Sequence, residues 1–172
     1  MIKRNIWCWP IGIIASLVSI FIFIEVKLYS EAILYIFYVI MGIYGWFEWK
    51  KDISENQEII IQKWNLFVHI KWILICIVGI FSLGYYFSSN SDAVRPYADS
   101  STTIFSFLAT YMETKKILSS WYFWIVINAF SVWLYAEREL FVYSGQMIVF
   151  AILSLVGLLR WMKDYRNMER VT

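Results

Sequence analysis

Asn128 is the residue with the most chemistry to offer, because it places a carboxamide about midway along the apolar run 121–136. At helical spacing it shares a face with Trp121, Trp124, Ser131 and Tyr135. In hydrocarbon a polar side chain costs free energy unless it faces protein or water, so a mid-span amide marks either a solvated path or a contact between helices. An amide close to indoles suits a flat heteroaromatic or amide-bearing ligand, which stacks on one group and hydrogen-bonds to the other. The alternative use is structural, a clamp from Asn128 to a backbone carbonyl of a neighbouring helix.

Other runs carry weaker polar stripes. Gln146, Phe150, Ser154, Gly157 and Trp161 follow one helical face, with Gln146 inside the apolar zone. Thr103, Ser106 and Thr110 make a hydroxyl stripe, although such groups commonly bond back to their own helix. Tyr35, Tyr38, Gly42, Gly45 and Trp49 combine phenolic hydroxyls with two glycines that permit close helix approach. Trp46, Trp49 and Trp161 lie near the ends of runs, where indoles form interfacial belts, and Glu48 beside Lys50 and Lys51 reads as a solvated interfacial charge.

No catalytic set accompanies these groups. His69 is the single histidine and has no partner at metal-ligand spacing, and no glycine-rich phosphate loop is present. Glu25, Glu31, Glu137 and Glu139 sit at the ends of runs as loop charges. The expectation is a protein without enzymatic residues, metal or cofactor.

The elements that hold these residues are membrane spans. Hydrophobic residues make up 60% of the chain and aromatics 20%, whereas a soluble domain is roughly 45–50% apolar. Nearly uncharged runs fall at about 5–24, 32–49, 72–88, 101–112, 121–136 and 140–161, and most approach the ~20 residues a helix needs to cross a bilayer. The expected fold is all-α with about six transmembrane helices, a single domain over residues 1–172. Lys3, Arg4, Lys50, Lys51, Lys63, Lys71, Lys115, Lys116, Arg160, Lys163, Arg166 and Arg170 fall on one side, against Lys27, Arg95 and Arg138 on the other. By the positive-inside rule both termini are cytoplasmic. The net charge of +2 reflects that asymmetry, and no basic stripe with interleaved aromatics points to nucleic acid. The first run, long and without a small-residue cleavage pattern, acts as its own targeting signal. Cys8 and Cys76 lie in or beside apolar runs and read as packing residues. Between the spans, 52–65 and 88–101 are loops, with Asp99 or Ser100 expected to cap the fourth helix.

The segment 9–52 recurs without a gap 112 residues later. Identities fall at Trp9/Trp121, Ile13/Ile125, Ser19/Ser131, Glu25/Glu137, Leu28/Leu140, Ile36/Ile148, Ile40/Ile152, Gly45/Gly157, Trp49/Trp161, Lys51/Lys163 and Asp52/Asp164. The shared GxxxW-x-K-D ending is not forced by hydropathy. Repeat units of about 5–52 and 99–164, joined by a linking helix at about 66–89, describe a membrane chain whose working site is expected between the copies.

Trp9-Pro10-x-Gly12, Lys27-Leu28-Tyr29, Tyr44-Gly45-Trp46-x-x-Trp49, Pro96-Tyr97-x-Asp99-Ser100-x-Thr102-Thr103, Leu108-Ala109-Thr110, Lys115-Lys116, Trp121-x-x-Trp124-Ile125-Val126-x-Asn128 and Gly157-x-x-x-Trp161 together resemble the PnuC-type vitamin transporters. The resemblance covers nearly the whole chain. It implies three helices, one linking helix and three more, similar to the SWEET sugar transporters. With only Met1–Arg4 before the first apolar run, which carries the Trp9 motif, the six spans would match helices two to seven, the first being absent. It further implies facilitated diffusion in a bacterial inner membrane, most often of nicotinamide riboside, with cytoplasmic phosphorylation trapping the substrate. Trp121, Trp124 and Asn128 carry over from the motif, and Thr110 and Gln146 by position, with Tyr35 and Tyr38 as further lining candidates. Tyr35 stands where riboside carriers would have Gln or Asn, which opens thiamine or another flat vitamin precursor as an alternative. The partners implied are that small molecule and the bilayer, with a homo-oligomer allowed, and a missing helix would equally suit a membrane scaffold that transports nothing.

Overall fold

The computed structural model describes residues 1–25, 29–54, 60–90 and 94–170. They form six helices: α1 (Cys8–Glu25), α2 (Tyr29–Ser54), α3 (Leu66–Asn90), α4 (Pro96–Thr114), α5 (Ser120–Glu137) and α6 (Phe141–Glu169). All six apolar runs are thus helical. Among the described residues the sole strand-like pairing is a bridge between Gln62 and Ile117. The bounds of α5 lie 112 residues beyond those of α1, and α6 begins 112 residues after α2, the same offset that relates the sequence identities.

Local chemistry sets the helix ends. Asn5 Oδ1 accepts the Trp7 N–H at 3.0 Å just before α1, and Asn65 Oδ1 accepts the Val68 N–H at 2.9 Å at the start of α3. Each carboxamide oxygen satisfies a donor that the helix leaves orphaned. The fourth helix starts earlier than its expected cap. Pro96 takes the first position, where a missing N–H costs nothing, so Asp99 and Ser100 fall inside the helix instead of capping it. Ser100 Oγ then donates back to Pro96 O at 2.7 Å, and Thr102 Oγ1 to Asp99 O at 2.8 Å. Two helices end alike. Lys116 (φ 60°) and Glu139 (φ 61°) turn the chain through the left-handed region, and the next N–H returns to a carbonyl five residues back, Ile117 to Met112 and Leu140 to Tyr135. Both are Schellman closures made with a non-glycine residue.

The chain forms two compact units, and α4 and α6 contribute to both. One comprises Met1–Gln62, Thr110–Leu118 and Leu159–Thr172. Its core is a run of indoles: Trp9 meets Trp49 edge-on at 5.5 Å, and Trp49 meets Trp161 at 6.4 Å. Trp49 and Trp161 are fully buried, so the interfacial-belt expectation fails for both. Chain segments distant in sequence cover them. Trp49 Nε1 donates to Thr114 O at 3.2 Å, and Trp161 Nε1 to Met1 O at 3.4 Å. Arg4 holds Asp164 at 3.2 Å, and Gln62 bonds through its backbone to Lys116 O and the Leu118 N–H, both at 2.9 Å. Lys115 Nζ lies 2.9 Å from Glu48 Oε1 and 5.1 Å from the centre of the Tyr44 ring, and hydrogen bonds to Tyr44 and Glu48 push its pKa above the ordinary lysine value. Glu48 is therefore paired, not simply solvated.

The other unit comprises Lys63–Ala109 and Ser119–Leu158. Here α3 packs on α4 through small residues. A Cβ at Gly84 would meet the Tyr97 ring at 2.4 Å, and one at Gly79 would touch Ile104 at 3.4 Å. Where the α5–α6 turn meets α4, Arg138 pairs with Asp99 at 2.8 Å and Arg95 pairs with Glu137. Helices α3 and α6 are each long and apolar enough to cross a membrane. Leu74, Val78 and Phe81 of α3 are exposed, as are Ile148, Ile152 and Leu159 of α6. An apolar surface of that kind belongs against lipid tails.

Candidate functional site

The most built polar feature lies where α5 packs on α6, inside the second unit. Closest approach of the two helices is set by Gly157, since a Cβ there would stand 2.4 Å from Trp121 Cζ3. The indole fills the space that a side chain would take. Trp121 is buried, and so are Ile127, Asn128, Ser131 and Leu134 farther along α5. Two turns along α5 from Trp121, Asn128 Nδ2 donates to Ser154 Oγ at 3.2 Å, three residues before Gly157 on the antiparallel partner. Ser154 Oγ donates to Phe150 O at 2.7 Å. Another turn on, Ser144 Oγ donates to Val132 O at 3.0 Å. The register of the pair is fixed at three points.

The serine has one hydrogen and has spent it on Phe150 O, so toward Asn128 it can only accept. The amide must therefore present its NH2 to Ser154. The Asn128 carbonyl oxygen takes no part in that contact. The contact that Asn128 makes across to α6 is to a serine hydroxyl and not to a backbone carbonyl. Asn128 is only 5% exposed, yet that contact leaves its strongest acceptor for something else. One turn before it stands Trp124, half-buried, whose indole offers a face for stacking.

Electrostatically this site is neutral. Every buried polar residue described in the unit is uncharged: Ser100, Ser106, Ser120, Asn128, Ser131, Ser144 and Ser154. The buried charged residues, Glu113 and Lys116, belong to the other unit. Among the described residues this unit holds no buried acid that could exchange a proton.

The remaining sequence candidates are placed as follows. Gln146 is exposed, two turns before Ser154 on α6. Tyr35 and Tyr38 are half-buried and pack edge to face at 5.6 Å within the first unit. Thr110 is buried in that same unit. Ser106 is buried as well, and Thr103 is half-buried. His69 lies with Nε2 3.1 Å from Ser119 Oγ and its ring stacked on Phe123 at 6.3 Å, a packed polar contact. Ser154, named in the sequence only as one of a polar stripe, is the residue that meets Asn128. The signal for it was present: Trp121 and Gly157 share the repeat's identities, and an antiparallel register through them brings Asn128 to Ser154.

Helices of spanning length, lipid-compatible surfaces and a neutral amide buried in the packed interior define a polytopic α-helical membrane protein. The family model described as "Nicotinamide mononucleotide transporter" matches residues 1–163, and the chain belongs to that family of membrane transporters, which are not enzymes. The resemblance carried by the YGWxxW and WxxWIVxN segments led to the same family. The chain is 24% identical to "Nicotinamide riboside transporter PnuC" of Escherichia coli (strain K12), over 85% of this chain and 72% of that protein, with the same figures for its counterpart in Shigella flexneri. Among solved structures, "Crystal structure of the Vitamin B3 transporter PnuC" superposes with a TM-score of 0.76 at 20% identity, covering 96% of this chain and 75% of that one. The fold is shared with that transporter.

Proposed function

We propose that this chain carries nicotinamide riboside by facilitated diffusion across a bacterial inner membrane, with phosphorylation in the cytoplasm trapping what enters. The observation that carries the reading is the buried Asn128 amide, with its carbonyl oxygen outside the Ser154 contact and Trp124 one turn away. A pyridine carboxamide has a flat face for the indole and an N–H for that oxygen. The names of the relatives support the substrate class. Trp121, Trp124 and Asn128 form the centre of the site, and Gln146, Thr110, Tyr35 and Tyr38 are further candidates taken from the sequence. Tyr35, in place of an amide, favours thiamine as the second reading. The units of about 5–52 and 99–164 act as repeats about the linking helix α3. Both termini face the cytoplasm, as the Lys and Arg distribution requires.

No described span has an acidic residue at its midpoint, so the chain's own residues offer no coupling to a proton or sodium gradient. Proteoliposomes containing only this chain should bring labelled nicotinamide riboside to equal concentration on both sides and no further, with exchange unchanged by a proton ionophore. Uphill accumulation without an internal kinase would refute facilitated diffusion. Equilibration of thiamine alone would select the second reading, and movement of neither would favour a scaffold. A periplasm-dependent reporter fused after Thr172 should stay silent, and activity there would reverse the orientation.

A further inference from the structure

We propose that Ser154 is a positioning residue that fixes the polarity of Asn128 and so makes a hydrogen-bond donor on the substrate a condition of transport. The inference rests on the proposed function and goes one residue deeper. Ser154 Oγ lies 2.7 Å from Phe150 O and 3.2 Å from Asn128 Nδ2. The backbone carbonyl fixes the direction of the hydroxyl hydrogen, and the oxygen lone pair then fixes the orientation of the amide. Both residues are 5% exposed, which limits the solvent that could turn the amide around. The group left for a ligand is the Asn128 carbonyl oxygen, which can only accept. A substrate carboxamide meets it with its N–H. A ligand of the same shape with a methyl group there offers that acceptor no donor.

Removing the serine hydroxyl frees the amide to flip and present its NH2 instead. The donor requirement then relaxes while the pocket keeps its shape. In the first helix pair the residue at the corresponding place is Gly42, which has no group to orient anything.

The test compares uptake of nicotinamide riboside with uptake of the riboside of 3-acetylpyridine, whose acetyl group keeps the carbonyl and replaces NH2 with CH3. Being equal in charge, the two isolate the donor. The unmodified chain should favour the amide on the order of tenfold or more. Ser154→Ala should reduce that preference to about twofold or threefold, chiefly by improving uptake of the acetyl compound, a gain that mere loss of packing would not produce. Ser154→Thr, which keeps the hydroxyl, should restore the preference. It also keeps the test decisive if the alanine variant fails to insert, because a threonine variant that takes up both compounds alike overturns the inference. So does an alanine variant as selective as the parent, or a parent that takes up both ribosides equally well. Failure of the parent to take up nicotinamide riboside at all is a different result, and it overturns the proposed function together with this inference.

Discussion

The helix pairs α1–α2 and α5–α6 are built on one contact and differ one turn away from it. In the first, the Trp9 indole occupies the space over Gly45, where a Cβ would meet ring atoms at 2.6 Å; in the second, Trp121 does the same over Gly157. Beyond that shared joint, the second pair has Trp124 and Asn128 where the first has Gly12 and Ser16. It has Ser154 where the first has Gly42, against which Ile13 packs. The tryptophan–glycine joint is thus a scaffold device used twice, whereas the stacking face, the amide and the hydroxyl that orients it occur once. The shared joint supplies the frame, and the proposed site falls where the two pairs differ.

The largest expected effect breaks that difference directly. Asn128→Leu should cut uptake of nicotinamide riboside to below about a tenth, since a buried hydrogen bond to the ligand is lost at no polar cost in lipid. Ser16→Ala, at the corresponding place in α1, should leave uptake within about twofold. Uptake of the labelled riboside by cells lacking another carrier measures both. Equal sensitivity of the two would mean that Asn128 is only a packing residue.

Next in size is the joint that the pairs share. Gly45→Ala and Gly157→Ala should each destabilise by about 1–3 kcal/mol, because a rigid buried indole cannot move aside cheaply. Gly145→Ala, where nothing lies within 4 Å of the added carbon, should be neutral or stabilising by helix propensity. Thermal unfolding in detergent separates them. If Gly157→Ala unfolds like Gly145→Ala, the Trp121 contact does not set the helix spacing.

A smaller effect concerns the packing peculiar to the first pair. A Cβ at Gly42 would stand 2.6 Å from Ile13 Cγ1. Gly42→Ala should therefore cost about 1 kcal/mol or somewhat more, and much of that should vanish in an Ile13→Ala background. Additive losses would show that the two residues are not coupled.

The frame was largely legible in the sequence, for reasons that the structure makes concrete. Trp9, Gly45, Trp121 and Gly157 recur at one offset because each pair is a single contact, and the six apolar runs became helices because burial in lipid leaves the backbone no other partner. Trp49 and Trp161 were misread as interfacial because a helix end shows in sequence only its own polarity. The segments that cover them, Met1–Arg4 and Thr110–Leu118, come from far along the chain. Asp99 was misplaced because Pro96 could begin the helix without any cap. The α6 stripe from Gln146 to Trp161 could not reveal where its cover stops, and in the structure Ser154, Gly157 and Trp161 are buried while Gln146 and Phe150 are exposed. Periodicity names a face; only a partner helix decides how much of it is used.

The smallest effect probes a place where the two copies carry opposite charge. At the end of α2, Glu48 pairs with Lys115 at 2.9 Å, with side-chain exposures of 20% and 31%. The matching residue of α6 is Arg160, which is exposed. Repulsion between two cations would forbid the second copy from making the contact that the first makes with Lys115. The Glu48–Lys115 pair is half-solvated, so its Coulomb gain is offset by side-chain ordering and screened by salt. A double-mutant cycle with Glu48→Gln and Lys115→Met should give a coupling below about 1 kcal/mol in low salt, shrinking as ionic strength rises. The cation over the Tyr44 ring adds a contribution that survives in Glu48→Gln, so Lys115→Met should cost more than Glu48→Gln. Arg160→Gln should show no favourable coupling to Lys115. A salt-independent coupling of several kcal/mol at Glu48 would instead mean that the pair is buried in the working protein, and that this end of the first unit is sealed by charge as well as by its tryptophans.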